Sequence, residues 1–241
     1  MIEKIDTFQK LNLFNEENIF TVRIKSLAKS YGFDFSFASF YRQIENGLTT
    51  AVFSVLDSDI TLAVDVRVAD TDELANFFML QGFTSLLSCD DFIFDCEYEH
   101  GVVMVSDRKY EFSNDLNVIS LTSFEQLRNL YDFLEYGGSF DAWYTDIRRR
   151  INKSTAEACG IYRNGKIVSS AILSSVYNSN AVLTGVKTDE KFRNNGFAGA
   201  VVKYICNRVK GKVYLMREEG KNEKFYSEIG FKNIDRWRIY R

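Results

Sequence analysis

The feature that most constrains the fold of this chain is a β-rich run, residues 183–188, that leads through a short turn directly into a helical pattern. The turn is Arg193-Asn194-Asn195-Gly196-Phe197-Ala198, and apolar residues then recur at positions 200, 201, 202, 204, 205 and 209. A strand that enters a helix in this way presents backbone N–H groups and the positive end of the helix dipole, which together favour a phosphate group. Gly196 and Ala198 are small enough to let a pyrophosphate approach the backbone closely.

Two further motifs accompany this turn. Val186-x-Thr188 lies on the preceding strand, and Asn222-x-x-Phe225-Tyr226-x-x-x-Gly230-Phe231 follows downstream. Together with the Arg-x-x-Gly-x-Ala turn, they resemble the acetyl-CoA-binding motifs of the GNAT superfamily of N-acetyltransferases. The resemblance covers roughly residues 117–241. The alternative is an ordinary strand–turn–helix unit without a ligand.

The resemblance implies acetyl-CoA as a co-substrate and no metal. It implies that the backbone amides of the turn hold the pyrophosphate, that Val186 polarises the acetyl carbonyl through its N–H, and that Tyr226 is the general acid. The implied cofactor-binding residues are Val186, Thr188, Arg193, Asn194, Asn195, Gly196, Phe197, Ala198 and Asn222. Each has an alternative: Tyr226 as a packed core ring, Arg193 as a solvated arginine, Asn222 as a helix N-cap.

The general base is left open by the sequence. The strand before the turn, residues 181–188, contains no acid. Glu157 and Glu218 are candidates by position only, and a water relay or direct attack by a neutral amine fits equally well.

From residue 117 the pattern predicts the order β-α-α-β-β-β-α-β-α-β, which the GNAT fold requires. The expected elements are a strand at 118–121, a helix opened by the capping box Thr122-x-x-Glu125, a helix at 140–152, strands at 156–163, 167–176 and 181–187, a helix at 196–209, a strand at 213–216, a helix at 222–228 and a strand at 233–240. Asn164-Gly165 is a strong hairpin signal. The predicted fold class is therefore α/β (α+β), with a mixed, mostly antiparallel sheet flanked by helices.

The N-terminal half has a less regular pattern. It predicts a mostly helical stretch at 16–46, strands at 49–56 and 60–68, a helix at 71–81, and a hairpin of strands 91–98 and 101–106 that turns at His100-Gly101. On such a strand Asp95, Glu97 and Glu99 would share one face. That face either is simply solvated or attracts a cationic amine.

Two domains are predicted, an N-terminal α/β domain at 1–112 and a GNAT acetyltransferase domain at 113–241. Residues 76–83 echo residues 224–231, since both segments end in Gly-Phe. The echo is either chance or the trace of a degenerate GNAT-like copy. The first half has no Arg-x-x-Gly-x-Ala turn, so only the second half is expected to bind CoA.

Composition excludes several other classes. The formal charge of −3 argues against a nucleic-acid-binding protein, and no apolar run reaches the roughly 18 residues of a membrane span. The N-terminus lacks a secretory signal, and the four cysteines form no Cys-x-x-Cys pair, so a cytoplasmic protein with reduced thiols is expected. Because His100 is the single histidine, catalytic mechanisms that need several histidines are excluded.

The function expected from these observations is transfer of an acetyl group from acetyl-CoA to a primary amine of a small molecule or peptide. The main alternative is a non-catalytic acyl-CoA-binding or regulatory module on the same fold. A third possible function is aminoacyl transfer from tRNA. The negative net charge and the presence of the CoA turn both argue against it. The acceptor and the oligomeric state are left open by the sequence.

Overall fold

The computed structural model describes residues 1–111 and 113–241. The helices and strands follow one another along the chain as β1 (Ile2–Lys4), α1 (Phe8–Leu11), α2 (Ile19–Tyr31), β2 (Ala38–Glu45), β3 (Leu48–Leu56), β4 (Asp59–Val64), α3 (Thr71–Gln81), β5 (Ser85–Cys89), β6 (Tyr98–Ser106), β7 (Ile119–Ser120), α4 (Phe124–Leu134), α5 (Phe140–Asn152), β8 (Glu157–Arg163), β9 (Lys166–Tyr177), β10 (Asn180–Thr188), α6 (Phe197–Cys206), β11 (Val213–Glu218), α7 (Glu223–Ile229) and β12 (Lys232–Tyr240). A 3₁₀ turn, Glu190–Phe192, lies between β10 and α6.

The chain forms two compact units, neither of which is continuous in sequence. Unit 1 comprises Met1–Met104, Met216–Glu223 and Asn233–Arg241, and unit 2 comprises Val105–Leu215 and Lys224–Lys232. The predicted boundary between domains 1–112 and 113–241 falls on residue 112, which lies outside the described residues. That division therefore stays a prediction.

Unit 1 is built on a sheet whose strand order is β1-β2-β3-β4-β5-β12-β6. Neighbours from β1 to β4 are antiparallel, β4 and β5 are parallel, and β12 is antiparallel to β5. Helix α3 buries Leu74 and Phe78 against this sheet, where Phe53 and Leu62 are also buried. The unit therefore has an aromatic-rich core.

Unit 2 is built on strands in the order β11-β10-β9-β8-β7. Strands β7 to β10 are antiparallel, and β10 and β11 are parallel. Ala158 packs in one core with α4 and α5, whereas the thiol of Cys159 contacts the carbonyl of Val201 in α6. Because consecutive strand residues point to opposite faces, α4 and α5 cover one face of the sheet and α6 covers the other.

The two units share a topological pattern. In unit 1 the antiparallel strands β2-β3-β4 are followed by α3 and by β5 parallel to β4, and in unit 2 the strands β8-β9-β10 are followed by α6 and by β11 parallel to β10. Helix α3 therefore corresponds to α6. The echo between residues 76–83 and 224–231, which would align α3 with α7, is wrong as a guide to this correspondence.

The predicted hairpin at 91–98 and 101–106 is also wrong. Residues 91–97 are irregular, and His100-Gly101 lies inside the single strand β6. A Cβ at Gly101 would lie 2.2 Å from the carbonyl oxygen of Arg217 and 2.7 Å from the ring of Trp237. The glycine is needed for close approach of another strand rather than for a turn.

Two further differences between the predicted and the observed elements each concern a short segment. Residues 38–45, expected to be helical, form β2, because they pair almost residue for residue with β3. Helix α4 begins one residue later than expected, with Ser123 and Gln126 as its capping box. The Gln126 side chain accepts the N–H groups of both Thr122 and Ser123 at 3.0 Å, which fixes the later start.

Candidate functional site

The strand that leads to the predicted cofactor turn is interrupted in both of its ladders. The parallel pairing of β10 with β11 covers only Ala181 to Leu183, and the pairing with β9 shifts register between Thr184 and Lys187. At the shift Gly185 has φ 59°, and a Cβ there would lie 2.9 Å from the Ile172 side chain. Only glycine fits this bulge. The predicted residues Val186 and Thr188 lie beyond the parallel ladder.

The bulge is held by serine hydroxyls from β9. Ser170 donates to the Gly185 carbonyl at 2.9 Å, and the hydroxyls of Ser169 and Thr188 are 2.8 Å apart. The Thr188 side chain is therefore already engaged, so that a ligand would meet mainly the backbone of this strand.

The turn between β10 and α6 is stabilised by its own polar groups. Asp189 accepts the N–H of Lys191 at 2.9 Å, and the Asn195 amide donates to the carbonyls of Phe192 and Arg193. Asn194 and Gly196 adopt left-handed conformations with φ 63° and 76°. The side chains of Asp189 and Asn195 therefore bond within the turn, and neither caps the start of α6.

Helix α6 begins without a cap. Its N-cap is Gly196, which has no side chain to accept a hydrogen bond from the first turn, and that turn contains no acid. The first N–H groups of a helix have no intrahelical partner, so those of Phe197, Ala198 and Gly199 lack one within α6. The N-terminus of α6 has the charge and the donors of an anion site.

The corresponding helix of unit 1 is built in the opposite way. The Asp70 carboxylate accepts the N–H of Glu73 at 2.9 Å, and Asp72 and Glu73 add two more acids in the first turn of α3. One N–H of the first turn of α3 is therefore capped by a carboxylate, and the acids of that turn disfavour a phosphate. The first turn of α6 has no such acid.

Two arginines lie at the α6 turn. Arg193, predicted from the sequence, forms an ion pair with Glu190 at 3.2 Å on the exposed surface. Arg163 at the end of β8, which the sequence pattern did not single out, places its guanidinium carbon 5.1 Å from the centroid of the Phe197 ring. No motif joins residues 163 and 197, so only the packing of β8 against α6 reveals the second cation.

A cavity of about 670 Å³ opens beside the turn within unit 2. It is lined by Thr188, Arg193 and neighbouring residues of the turn, and on the other side by the C-terminal end of α4. There Lys187 bonds to the Glu135 carboxylate at 2.8 Å and lies 5.3 Å from the Phe133 ring centroid. The cavity has room for a small ligand and contains charges of both signs.

Tyr226 lies in α7 with its ring edge-on to Phe225 and Phe231. Burial raises the pKa of its phenol to about 12, and the Cys206 thiol at the end of α6 adds a smaller increase. The group is therefore protonated at neutral pH and donates rather than accepts a proton. Since α6 has ten residues, this region is about 15 Å from the start of the helix.

The other sequence candidates belong to unit 1 or are already paired. Asn222 precedes α7 with φ 57° and belongs to unit 1. Glu157 forms an ion pair with Arg208, and Glu218 forms one with Lys221. The assignments of Tyr226 and of the cofactor-binding residues stay predictions.

The acidic face expected at 95–99 does not form, because these residues do not share a strand. Asp95 and Glu97 lie in the irregular segment before β6, whereas Glu99 lies in β6 and forms an ion pair with Arg241 at 3.4 Å. Asp90, just before them, pairs with Arg238 at 2.6 Å. The idea that this face attracts a cationic amine is therefore withdrawn.

Two observations concern other kinds of site. Within residues 1–111 and 113–241, no group of three or more His, Cys, Asp or Glu side chains is arranged to hold a metal ion. None of the helices in the same residues combines the length and the apolar character that crossing a bilayer requires.

Comparison with known proteins gives a family match over part of the chain and a fold. The model of the acetyltransferase (GNAT) family matches residues 124–231. No curated protein sequence matches the chain. Among solved structures, a Drosophila protein is similar with a TM-score of 0.67 and 10% identity over 100% of this chain and 98% of its own.

Two more solved structures have the same fold. One is a tandem GNAT protein from the clavulanic acid biosynthesis pathway, with a TM-score of 0.61 and 11% identity over 100% of this chain and 98% of its own. The other is a GCN5-related N-acetyltransferase from Kribbella flavida, with a TM-score of 0.60 and 12% identity over 92% and 93% of the two chains. At these identities the likeness shows the fold, which confirms the predicted fold class.

Proposed function

We propose, from the fact that residues 124–231 belong to the GNAT acetyltransferase family, that the protein transfers an acetyl group from acetyl-CoA to a primary amine. The observation that carries the proposal is the uncapped start of α6, which follows a bulged strand inside the matched segment. Two helices of the same topology are present, and only α6 leaves its N-terminal donors for a ligand.

In this proposal the backbone N–H groups from Arg193 to Ala198 hold the pyrophosphate of acetyl-CoA. The small residues Gly196 and Ala198 permit the close approach, and the dipole of α6 favours the negative charge. The pantetheine arm follows β10 beyond Leu183, where the parallel ladder ends and backbone groups near Val186 become accessible to it. The long arm carries the thioester away from the pyrophosphate.

The transfer step joins the amine nitrogen to the acetyl carbonyl carbon and breaks the bond between that carbon and sulfur. Positive charge then leaves the nitrogen as a proton, and the departing thiolate gains one. The N–H of Val186 is proposed to stabilise the oxyanion, and the Tyr226 phenol to interact with the sulfur. The products are the N-acetylated amine and the free thiol of CoA.

The raised pKa of Tyr226 refines its role. A phenol with a pKa of about 12 is a weaker acid than a free thiol, whose pKa is ~8.5, so complete proton transfer to the thiolate is uphill. Hydrogen-bond donation to the developing sulfur charge costs less. Tyr226 therefore acts mainly as a donor that stabilises the leaving group.

Neither carboxylate suggested by the sequence is proposed as the base. Glu157 forms an ion pair with Arg208 and Glu218 forms one with Lys221, so neither carboxylate is free for the acceptor amine. An amine that arrives neutral, or that loses its proton to water, satisfies the same chemistry. The acceptor is then favoured by a low amine pKa or by a higher pH.

Unit 1 is proposed to be a degenerate copy without a cofactor site. Its strand and helix order repeats that of unit 2, and a tandem GNAT protein has the same fold over the whole chain. The acids at Asp70, Asp72 and Glu73 occupy the place of the anion site. One acetyl-CoA per chain is therefore expected.

The test measures CoA-thiol release from acetyl-CoA with a panel of primary amines, in parallel with calorimetric binding of acetyl-CoA. Tyr226→Phe should lower kcat by about 10²-fold with an acetyl-CoA Kd within about twofold of wild type. The matched control is Tyr177→Phe, because Tyr177 pairs with Asn180 at the opposite end of β10 from Thr188. Binding without turnover on any amine would favour the non-catalytic module, and absence of binding would refute both.

A further inference from the structure

Arg163 has a position that none of the predicted functions uses. It ends β8 just before the Asn164-Gly165 turn, and its guanidinium lies over the ring of Phe197 at 5.1 Å. Phe197 is the first residue of α6 and is buried, so the cation is held next to the first turn of that helix. A guanidinium over an aromatic face is oriented by the ring.

The guanidinium is also held by two carbonyl groups. One terminal nitrogen donates to the Tyr162 carbonyl at 2.7 Å, and the other donates to the Leu116 carbonyl at 3.3 Å. Both acceptors are neutral, and among the described residues no carboxylate forms an ion pair with Arg163. Its positive charge therefore has no carboxylate partner, unlike that of Arg193, which forms an exposed ion pair with Glu190.

Guanidinium groups suit phosphate because they are planar, always charged and present several donors. Arg163 retains donors beyond the two that its carbonyl bonds use. It is positioned before any ligand binds, so little side-chain entropy is lost when it makes a contact. It contacts the ring of Phe197, the first residue of the helix whose first N–H groups are uncapped.

We propose that Arg163 contacts a phosphate group of bound CoA at the start of α6. This inference rests on the proposed function, because it assumes that CoA binds at that turn. The chemistry is shared by two groups of the ligand, the pyrophosphate and the 3′-phosphate. Arg163 then supplies a cation that no carboxylate of the described residues pairs, whereas Arg193, already in an ion pair, contributes less.

The experiment is calorimetric titration with CoA and with dephospho-CoA, which lacks the 3′-phosphate, at low and high salt. The variants are Arg163→Gln, Arg163→Lys and the control Lys166→Gln. Lys166 is opposite Arg163 in the β8–β9 register and is exposed, so its replacement removes the same charge across the same turn. Thermal unfolding of each variant is measured in parallel.

Arg163→Gln should weaken CoA binding about tenfold, ~1.4 kcal/mol, and reduce the salt dependence of Kd. Arg163→Lys should restore part of the loss, and Lys166→Gln should change Kd less than about twofold. If the loss disappears with dephospho-CoA, the contact is the 3′-phosphate, and if it persists, the contact is the pyrophosphate.

Three results would overturn the inference: unchanged CoA affinity in Arg163→Gln, an equal loss in Lys166→Gln, or a loss with unchanged salt dependence and no rescue by lysine. The last would mean that Arg163 only holds the carbonyls of Tyr162 and Leu116. Failure of the proposed function looks different, since wild type itself would then not bind CoA. If wild type binds and Gly196→Glu does not, only the role of Arg163 is at stake.

Discussion

Substituting Gly196 with glutamate or with glutamine separates the electrostatics of the α6 turn from its conformation. Gly196 has φ 76°, and a Cβ added there meets no atom within 4 Å. Both variants therefore incur only the left-handed backbone penalty, about 1–2 kcal/mol. Any difference in affinity or stability between the two variants is therefore due to the charge of the glutamate side chain.

The charge should act in opposite directions on stability and on binding. A carboxylate at the start of α6 interacts favourably with the helix dipole. The free energy of unfolding of Gly196→Glu should therefore exceed that of Gly196→Gln by about 0.3–1 kcal/mol. A phosphate ~6 Å from that carboxylate is repelled by about 3 kcal/mol at an effective dielectric constant of ~20. Because the turn is exposed, solvent screening reduces this to about 1.5–2.5 kcal/mol.

The assay is calorimetric titration of both variants with acetyl-CoA, together with thermal unfolding. Gly196→Glu should bind roughly 10- to 100-fold more weakly than Gly196→Gln, while being at least as stable. Equal affinities of the two variants for acetyl-CoA would refute the reasoning, because no anion would then lie at the start of α6.

Other predictions concern stability. Gly101→Ala should destabilise by about 2–4 kcal/mol, since its Cβ would lie 2.2 Å from the Arg217 carbonyl; the control Gly137→Ala, whose Cβ would meet no atom within 4 Å, should change stability little in the same thermal scans. Ser123→Ala should cost about 1 kcal/mol through loss of the α4 cap, as measured by denaturant unfolding. Burial raises the pKa of the Tyr226 phenol to about 12. The free energy of unfolding is therefore unaffected below pH ~10, where the phenol is protonated in both states, and falls as pH rises toward 12. Wild type should therefore lose stability relative to Tyr226→Phe over that range, and parallel curves would contradict the shift.

Local chemistry explains most of what the sequence predicted correctly. Asn164-Gly165 forms the predicted hairpin turn, because left-handed φ values of 51° and 76° suit that pair. The order of elements from residue 117 follows from hydrophobic periods and caps, and it is confirmed by the GNAT fold. The start of α6 was predictable for the same reason, since a strand followed by a small-residue turn and a helix is local information.

Some errors come from contacts between distant residues, and one comes from a local signal that was overlooked. Gly101 was interpreted as a turn residue, but its small size is required by Trp237 and Arg217. Residues 38–45 are a strand because β3 pairs with them through the Asn46-Gly47 turn, whose φ values of 51° and 80° suit a hairpin, and the helical prediction overlooked this local signal. Arg163 was missed because it reaches Phe197 only through the packing of β8 and α6.

The central claim is tested most directly by determining the position of bound acetyl-CoA in a crystal structure of the complex. The account predicts one molecule per chain, with its pyrophosphate on the backbone N–H groups of 193–198 and its pantetheine arm along β10 from Thr184 to Thr188. A cofactor bound against residues 50–85, or at the acidic start of α3, would contradict it.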